Sequence, residues 1–444
     1  MSTLLEGLFA PRRSMFRATG FRATGLLSTA LRATALLGVR AVSPGEPAAQ
    51  AQPAAAKKAP AKPKPKATEW HGEAAPREVV PGEKVLVALI ELGTTRMSAG
   101  RYDEALKAFT DAVLRAPLEP KPLYLRGACY QKMNRLREAE ADFRAALKLD
   151  PTGADDQSVK VRAELGAVLT DSGRAAEAIE VLELAVKAKP DLFESQYNLG
   201  VAHEALKHWP EAIAAYTRAT KLKPTSESPR ANQADAQLNL AVALRRSGRV
   251  QDALGPAREA VQLASDRPHP HLSLGLLLSD AKRYDEAVAE LTAATQLADL
   301  QFKSGATPEE REDGKQMLHK AWWRLGIVHI RLEQAAPAVT ALEKAKAIEA
   351  TPEVLTDLGL ARRKANDIAR AESEFRAALK VNPKVQAARL HLVSTLTATG
   401  RCDEGLKELA LLAPDPQYTE TVNRIKARCD YEREIQRRGG AKPK

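Results

Sequence analysis

The chain has 444 residues, 44% of them hydrophobic but only 5% aromatic, with a formal net charge of +11. Its length is that of about two or three ordinary domains, and its apolar fraction can bury a sizeable core. Three cysteines exclude a disulfide-scaffolded module, and no uncharged apolar run approaches the ~18 residues of a membrane span, which excludes a polytopic membrane protein.

With 8 Phe, 8 Tyr and 4 Trp, the core must be filled mainly by Ala, Leu and Val, which points to close-packed helices. The positive charge belongs to the ends. Residues 1–70 hold eleven Lys and Arg against three acids (Glu6, Glu46, Glu69), and residues 421–444 hold eight against three, net charges of +8 and +5. Residues 71–420 therefore carry −2, with both signs mixed.

Residues 1–51 are a signal-like or targeting segment. Arg12, Arg13, Arg17, Arg22, Arg32 and Arg40 lie among small and apolar residues, and two apolar stretches, Thr24–Leu31 and Ala33–Val39, are split by Arg32. Ala49-Gln50-Ala51 fits a small-x-small export cleavage site, and Pro11–Arg17 resembles a degenerate twin-arginine signal. An Arg-rich organelle transit peptide and an unused upstream start are the alternatives. No cysteine lies here to carry a bacterial lipid anchor. Residues 52–84 begin with a Pro, Ala and Lys tract ending in Lys-Pro-Lys-Pro-Lys, too poor in apolar surface to offset its chain entropy, so a disordered linker is expected.

From Val85 the chain is periodic. Leu-Gly or Leu-Ala recurs at Leu92-Gly93, Leu165-Gly166, Leu199-Gly200, Leu240-Ala241, Leu274-Gly275, Leu325-Gly326 and Leu358-Gly359, and Arg126-Gly127 fills the remaining slot. The glycine positions step by 34, 39, 34, 41, 34, 51 and 33 residues. Twelve residues after each comes an alanine, from Ala105 to Ala371. Four further on stands a larger apolar residue in seven of eight units, such as Phe109, Leu182 or Tyr216, and three beyond that another alanine. Gly100, Gly173 and Gly248, each followed by Arg, supply turns, and Pro117, Pro151, Pro190, Pro224 and Pro383 close units. Small residues on a shared helical face let two helices approach closely, while the large one fills the gap. Such a pair cannot bury its own faces and must stack on neighbours.

These positions resemble the tetratricopeptide repeat. The first unit matches at Leu92, Gly93, Gly100, Tyr102, Ala105, Phe109, Ala112 and Pro117. The resemblance implies an all-α, right-handed superhelical solenoid of helix–turn–helix repeats over residues 85–419, with eight clear units. A ninth is degenerate, with Val393 and Gly405 in place of Gly and Ala. Within the 51-residue step, Thr307-Pro308-Glu309-Glu310 reads as a capping box that starts a lengthened first helix running to Arg331 and projecting from the solenoid. Tyr418, Val422, Ile425 and Cys429 form one apolar helical face, so residues 420–438 read as a capping helix, followed by a basic tail at 439–444. Cys402 begins the second helix of the ninth unit, so a Cys402–Cys429 disulfide and two buried free thiols are both compatible with the spacing.

No phosphate-binding glycine loop, nucleophile elbow or paired zinc cysteines occur, and His269-Pro270-His271 stands alone as a close histidine pair. No catalytic residue, metal, cofactor or small-molecule substrate is expected, and the chain reads as a non-enzyme. In the resembled family the concave surface is lined by first-helix residues three before and one, four and five after the glycine. Those positions hold Tyr124, Tyr197 and Trp323 as aromatic faces, and Lys132, Arg245, Arg246, Arg331, Arg363 and Lys364 as cations. The cations are free for an acidic or C-terminal peptide, or else solvated or paired with acids such as Glu204 and Asp280. Asn198 and Asn239, two residues before their Gly and Ala, recur as candidates to hold a peptide backbone. A subfamily clamps peptide carboxylates with Lys three before the glycine and Asn one after; here Ile90 with Thr94 and Tyr124 with Ala128 stand instead, so that clamp is not implied.

The expected function is a protein–protein scaffold or adaptor, periplasmic or of the cell envelope, of the kind that serves pilus biogenesis, secretion or gliding motility. The alternatives are a cytosolic co-chaperone-like or regulatory adaptor, and polyanion binding through the basic ends. Protein or peptide partners are expected, with no specific nucleic acid.

Overall fold

Two helices pair across a tight turn nine times in succession, and in seven of these pairs the first helix carries a glycine at the contact. The computed structural model describes residues 82–150, 155–225 and 228–437. The signal-like segment, nearly all of the expected linker and the basic tail lie outside the described residues.

In chain order the pairs are α1 (Gly82–Ser98) with α2 (Tyr102–Arg115), α3 (Pro120–Lys132) with α4 (Leu136–Leu149), and α5 (Asp156–Asp171) with α6 (Ala175–Ala188). Next come α7 (Phe193–Ala205) with α8 (Trp209–Ala219), α9 (Pro229–Arg246) with α10 (Val250–Leu263), and α11 (Pro268–Asp280) with α12 (Tyr284–Ser304). The last three are α13 (Pro308–Arg331) with α14 (Ala335–Ile348), α15 (Pro352–Lys364) with α16 (Ile368–Val381), and α17 (Gln386–Ala398) with α18 (Cys402–Ala410). A short 3₁₀ turn, Pro416–Tyr418, leads into α19 (Thr419–Arg437). Among the described residues there is no strand, and the architecture is an all-α solenoid.

The pairing has one recurring contact. A Cβ added at Gly93, Gly127, Gly166, Gly200, Gly275, Gly326 or Gly359 would lie 2.4–2.7 Å from the side chain sixteen residues on. Those side chains, Phe109, Phe143, Leu182, Tyr216, Leu291, Leu342 and Phe375, are completely buried. Glycine is therefore required to let the ring or leucine reach the first helix. The fifth unit solves the problem differently, placing the fully buried Ala241 opposite the fully buried Ala257, so one methyl is gained where a large side chain is given up. In the second unit Arg126 replaces leucine and forks onto the buried Asp142, with Nε and Nη2 each 2.7 Å from a carboxylate oxygen.

Every unit turns on one left-handed residue. Gly100, Gly173, Gly248 and Gly400 have φ of 73–83°, and Asn134, Lys207, Lys282, Glu333 and Asn366 hold the equivalent places at 60–61°. The following amide reaches back to close the helix, as Arg101 N does to the Arg96 carbonyl at 2.9 Å. The second helix then opens on an ion pair where a capping side chain would ordinarily sit: Arg101–Glu104, Arg135–Glu138, Arg249–Asp252 and Arg283–Glu286 are all spaced three apart. The acid neutralises the helix N-terminus and the arginine holds it there.

Successive first helices touch: α1 with α3, α3 with α5, α5 with α7, α9 with α11, and onward to α15 with α17. Across α7 and α9, Asn239 Nδ2 donates to the Tyr197 hydroxyl at 2.7 Å. Second helices pack on the first helices to either side. The first helices thus form the tighter inner wall and the second helices the splayed outer one. On the outer wall, charges close into squares: Arg174 bonds Glu140 at 2.8 Å and also Glu177, while Arg144 bonds both acids. Glu372, Arg376, Arg401 and Glu404 repeat the square between the last two units.

The insertion differs from the expected single projecting helix. Both α12, at 21 residues, and α13, at 24, are lengthened, and they form a hairpin. The capping box starts α13, with Thr307 Oγ1 accepting from Glu310 N at 3.1 Å and Glu310 accepting from Ala306 N at 2.7 Å. Gly314 allows the close crossing, since a Cβ there would meet Phe302 N at 2.5 Å. At the far end, Ile425 and Cys429 of α19 pack with Leu390, Val393, Cys402 and Leu409.

Replacing Gly359 by Ala should destabilise the C-terminal half by about 1–3 kcal/mol, the cost of overpacking. In a Phe375→Ala background, which imitates the Ala241–Ala257 pair, the same change should cost less than about 0.5 kcal/mol. Urea melts of the four proteins measure the coupling; additive effects would show that the glycine is not needed for the ring.

Candidate functional site

The inner wall carries a line of polar residues that the helices themselves position. Two residues before the glycine slot, Asn198, Asn239 and Asp357 each reach back to the preceding first helix. From α5 onward the position holds Glu164, Asn198, Asn239, Ser273, Arg324, Asp357 and His391. Asn198 Nδ2 donates to the Ala163 carbonyl at 2.9 Å, joining α7 to α5. Trp323 Nε1 donates to Asp357 at 2.8 Å, joining α13 to α15.

This corrects part of the expected groove. Asn198 is 4% exposed and its amide is bound to backbone, so it ties two helices together where a peptide-holding role was expected. Tyr197, 5% exposed, stacks on Phe193 with ring centroids 5.8 Å apart and accepts from Asn239; it belongs to the core and offers no aromatic face. Asn239 is half-buried but its donor is used in that same bond.

The remaining candidates fall into two clusters. Near the N-terminal end, Tyr124 is half-buried and tilted against Phe143 at 6.1 Å. Its phenol is pushed above the usual range by burial and by the acids Glu164 and Glu194. Glu164 is buried, and burial raises its carboxyl to about 8, with Lys132 pulling the other way. Its Oε2 has no hydrogen-bond partner among the described residues. Further along, Glu204 accepts from the Tyr216 hydroxyl at 2.7 Å, and Arg246 counteracts the rise that burial causes in its pKa.

The second cluster spans α9 to α17. Arg245, a groove candidate, pairs with Asp280 at 2.5 Å. Asp357 is raised to about 6 by burial, against the Trp323 hydrogen bond and the charges of Arg324 and Arg331. Arg324 lies over the Trp323 ring at 4.5 Å. Burial and Arg245 lower its pKa to about 10. Arg363 Nη1 is 3.4 Å from Ser394 Oγ, and beside it His391 is held down to about 4 by burial and by the Arg363 charge. Lys364 stands off Glu333 at 3.9 Å. The wall thus brings Arg245, Trp323 and Arg331 around Arg324 and Asp357. Sequence mapping missed Arg324, Asp357, Glu164 and His391, although following the Asn198–Asn239 spacing into the other units would have found them.

At the solenoid's end Cys402 and Cys429 are bonded, with Cα atoms 5.5 Å apart. Cys129 is a buried free thiol. His271 lies in α11 and takes Glu290 as its partner at 2.7 Å. Among the described residues no group of three His, Cys, Asp or Glu could hold a metal, and no helix is long and apolar enough to cross a membrane.

The tetratricopeptide repeat family profile matches residues 120–152, and again 163–227, 228–268 and 356–419. A tetratricopeptide repeat and J domain-containing co-chaperone from Fusarium oxysporum is 27% identical over 170 residues, 36% of this chain; the match spans only 33% of that relative's length. Among solved structures, the C-terminal part of a TPR repeat-containing protein from Cytophaga hutchinsonii is 15% identical, covering 61% of this chain and 99% of its own, with a TM-score of 0.43. PilF of Pseudomonas aeruginosa is 16% identical, covering 52% of this chain and 91% of its own, with a TM-score of 0.40.

The raised Glu164 carboxyl has a testable sign. Its folded pKa of about 8 exceeds the ordinary 4.5, so the folded state holds the extra proton between those values and loses stability as pH rises through them. Glu164→Gln should remove a slope of up to about 1.4 kcal/mol per pH unit between pH 5 and 8. Melts at the two pH values should show the variant gaining on the wild type at pH 8; parallel behaviour would mean that the carboxyl is ionised without penalty.

Proposed function

We propose, from the premise that this chain is a tetratricopeptide repeat protein, that it is a non-catalytic adaptor holding extended segments of protein partners along its inner wall. The carrying observation is the wall itself. First helices pack on one another along most of the wall and present polar and aromatic side chains, among them the Arg245–Trp323–Arg331 cluster. An elongated surface with spaced side-chain seats suits an extended chain, whose backbone lies along the groove while side chains enter in turn.

We place the protein in the cell envelope. Two features support this: the Arg-rich, apolar N-terminus ending in Ala49-Gln50-Ala51, and the bonded Cys402 and Cys429, since structural disulfides persist in oxidising compartments. The bridge joins α18 to α19 across a separation of 27 residues. On the chain-entropy estimate it stabilises the cap by about 3 kcal/mol.

Photo-cross-linking from the wall in native cells tests the adaptor reading. Trp323→Ala with Arg331→Ala should reduce partner capture by roughly tenfold, about 1.4 kcal/mol, while Arg218→Gln on the outer helix α8 leaves it unchanged; equal capture by all three would move the site off the wall. Non-reducing peptide mapping and N-terminal sequencing test the compartment. The expected result is a linked Cys402–Cys429 peptide and a chain starting after Ala51 in the envelope fraction. An intact N-terminus in the cytosol with two free thiols would end the envelope reading.

A further inference from the structure

The two ends of the solenoid are finished differently. At the far end α19 lies over the last pair, and the Cys402–Cys429 bond fastens it there. At the near end α1 packs on α2 and touches α3, and no described element precedes it in the stack. The difference shows in one recurring leucine. Just before the glycine or alanine slot, Leu165, Leu199, Leu240, Leu274, Leu325 and Leu358 are at most 7% exposed, because the preceding unit packs against them. Leu92, their counterpart in the first unit, is 45% exposed. Val85 and Leu89 stand seven and three residues before it, on the same strip of α1.

The second helix extends this apolar face. Twenty-one residues after the slot, other units carry Lys148, Lys187, Lys221 and Lys380, and two more carry glutamine. The first unit has Leu114 there, 74% exposed. A position kept polar along the array is thus a leucine beside the open end. Val85, Leu89 and Leu114 line one shallow depression between α1 and α2, together with Asp111 and Arg115. A solenoid end needs a polar outer face or a cover to stay soluble, and this one has no polar face.

Charge selects the cover. Asp111 and Arg115 lie one turn apart on α2, both exposed and of opposite sign. When two such faces meet antiparallel across a two-fold axis, Asp111 of each copy faces Arg115 of the other. The margin is therefore self-complementary, as a two-fold contact requires. Head-to-tail stacking into filaments is blocked, because α19 already occupies the other end. We propose that the open face of the first unit, formed by Val85, Leu89, Leu92 and Leu114, docks on the same face of a second copy of the chain. The helices, 17 and 14 residues long, present a face of roughly 25 by 20 Å. Two such faces bury about 1,000 Å², the lower limit for a specific interface. The dimer is accordingly weak, with a Kd on the order of 10 µM, and it does not depend on what the inner wall holds.

Sedimentation velocity of the full chain between about 1 and 200 µM tests the contact. A reversible monomer–dimer equilibrium is expected. Leu114→Lys, which installs the residue that four other units carry, should weaken it at least tenfold, about one decade in Kd. Leu184→Lys, at a similarly exposed leucine of α6, should leave it unchanged. Asp111→Arg and Arg115→Asp should each weaken it to a similar degree, since each sets like charges across the axis. The double reversal should restore dimerisation, because Arg then faces Asp again. Circular dichroism confirms that each variant is folded. A chain that stays monomeric at the highest concentration overturns the proposal. Slow maleimide labelling of Leu114→Cys in that monomer would assign the face to the chain's own residues upstream of α1. A dimer indifferent to Leu114→Lys, or one that the double reversal fails to restore, also overturns the two-fold contact.

Discussion

The contact between a first-helix glycine and the side chain sixteen residues later sets the spacing of everything else. With no Cβ, the glycine lets a phenyl ring or leucine lie against the helix backbone at a distance that any other residue would occupy. The alanines on the second helix then become necessary, because the two backbones are too close for longer side chains on either flank of the large one. Ala105, Ala139, Ala178, Ala212, Ala253, Ala287, Ala338 and Ala371 are all completely buried. This is why a chain with 5% aromatic residues has a dense core: one large side chain per unit suffices when its neighbours are methyl groups. The Ala241–Ala257 pair meets the same constraint with less volume, since one methyl on the first helix is accommodated only because the large side chain of the second helix is given up. The ninth unit moves the small residue to the other helix. Val393 occupies the glycine slot and Gly405 the alanine slot, where a Cβ would meet Thr397 at 2.6 Å.

Close pairing within units leaves the units to meet along their first helices, and that geometry decides where polar groups can be buried. A side chain two residues before the glycine slot is carried into the seam with the preceding or following first helix. Asn198 can satisfy a backbone carbonyl there, and Asn239 a tyrosine hydroxyl. Charged residues at the same place produce shifted carboxyls such as Glu164 and Asp357, whose cost persists only because each is set among opposing charges or donors. The outer wall has no such seam. Its arginines and glutamates are half-exposed, and their squares add modest stability while keeping the surface mixed in sign.

Much of this was legible in the residues. The repeat phase identified the helix pairs, the turns at Gly100, Gly173 and Gly248, and the apolar face of the last helix. The turn position itself extends further than glycine marks, because Lys207, Lys282 and Glu333 adopt a left-handed conformation that their residue types do not advertise. The groove was less legible. Tyr197 and Asn198 sit at family groove positions, yet the packing of α5, α7 and α9 buries both. Rotation of one unit against the next is set by loop length and packing, and neither can be read from spacing alone. The lengthening of α12 was likewise hidden. Nothing but Gly305 stops that helix, and whether the extra turns persist depends on Gly314 of the partner helix admitting Phe302 at close range.

The charge of +11 acquires a different meaning once located. A folded body with a net of −2 has no global attraction for polyanions, yet its inner wall is uneven, with the carboxyls of Glu164 and Glu204 pushed towards their neutral form by burial and cations recurring from Arg245 to Lys364. Screening weakens fields beyond about 10 Å in salt, so such unevenness acts locally, residue against residue. Burial strengthens it, because a half-buried guanidinium interacts with an incoming carboxylate through less water than an outer-wall arginine does. What the wall presents at any point is therefore set by the side chains within a few ångströms of it, and not by the net charge of the whole chain.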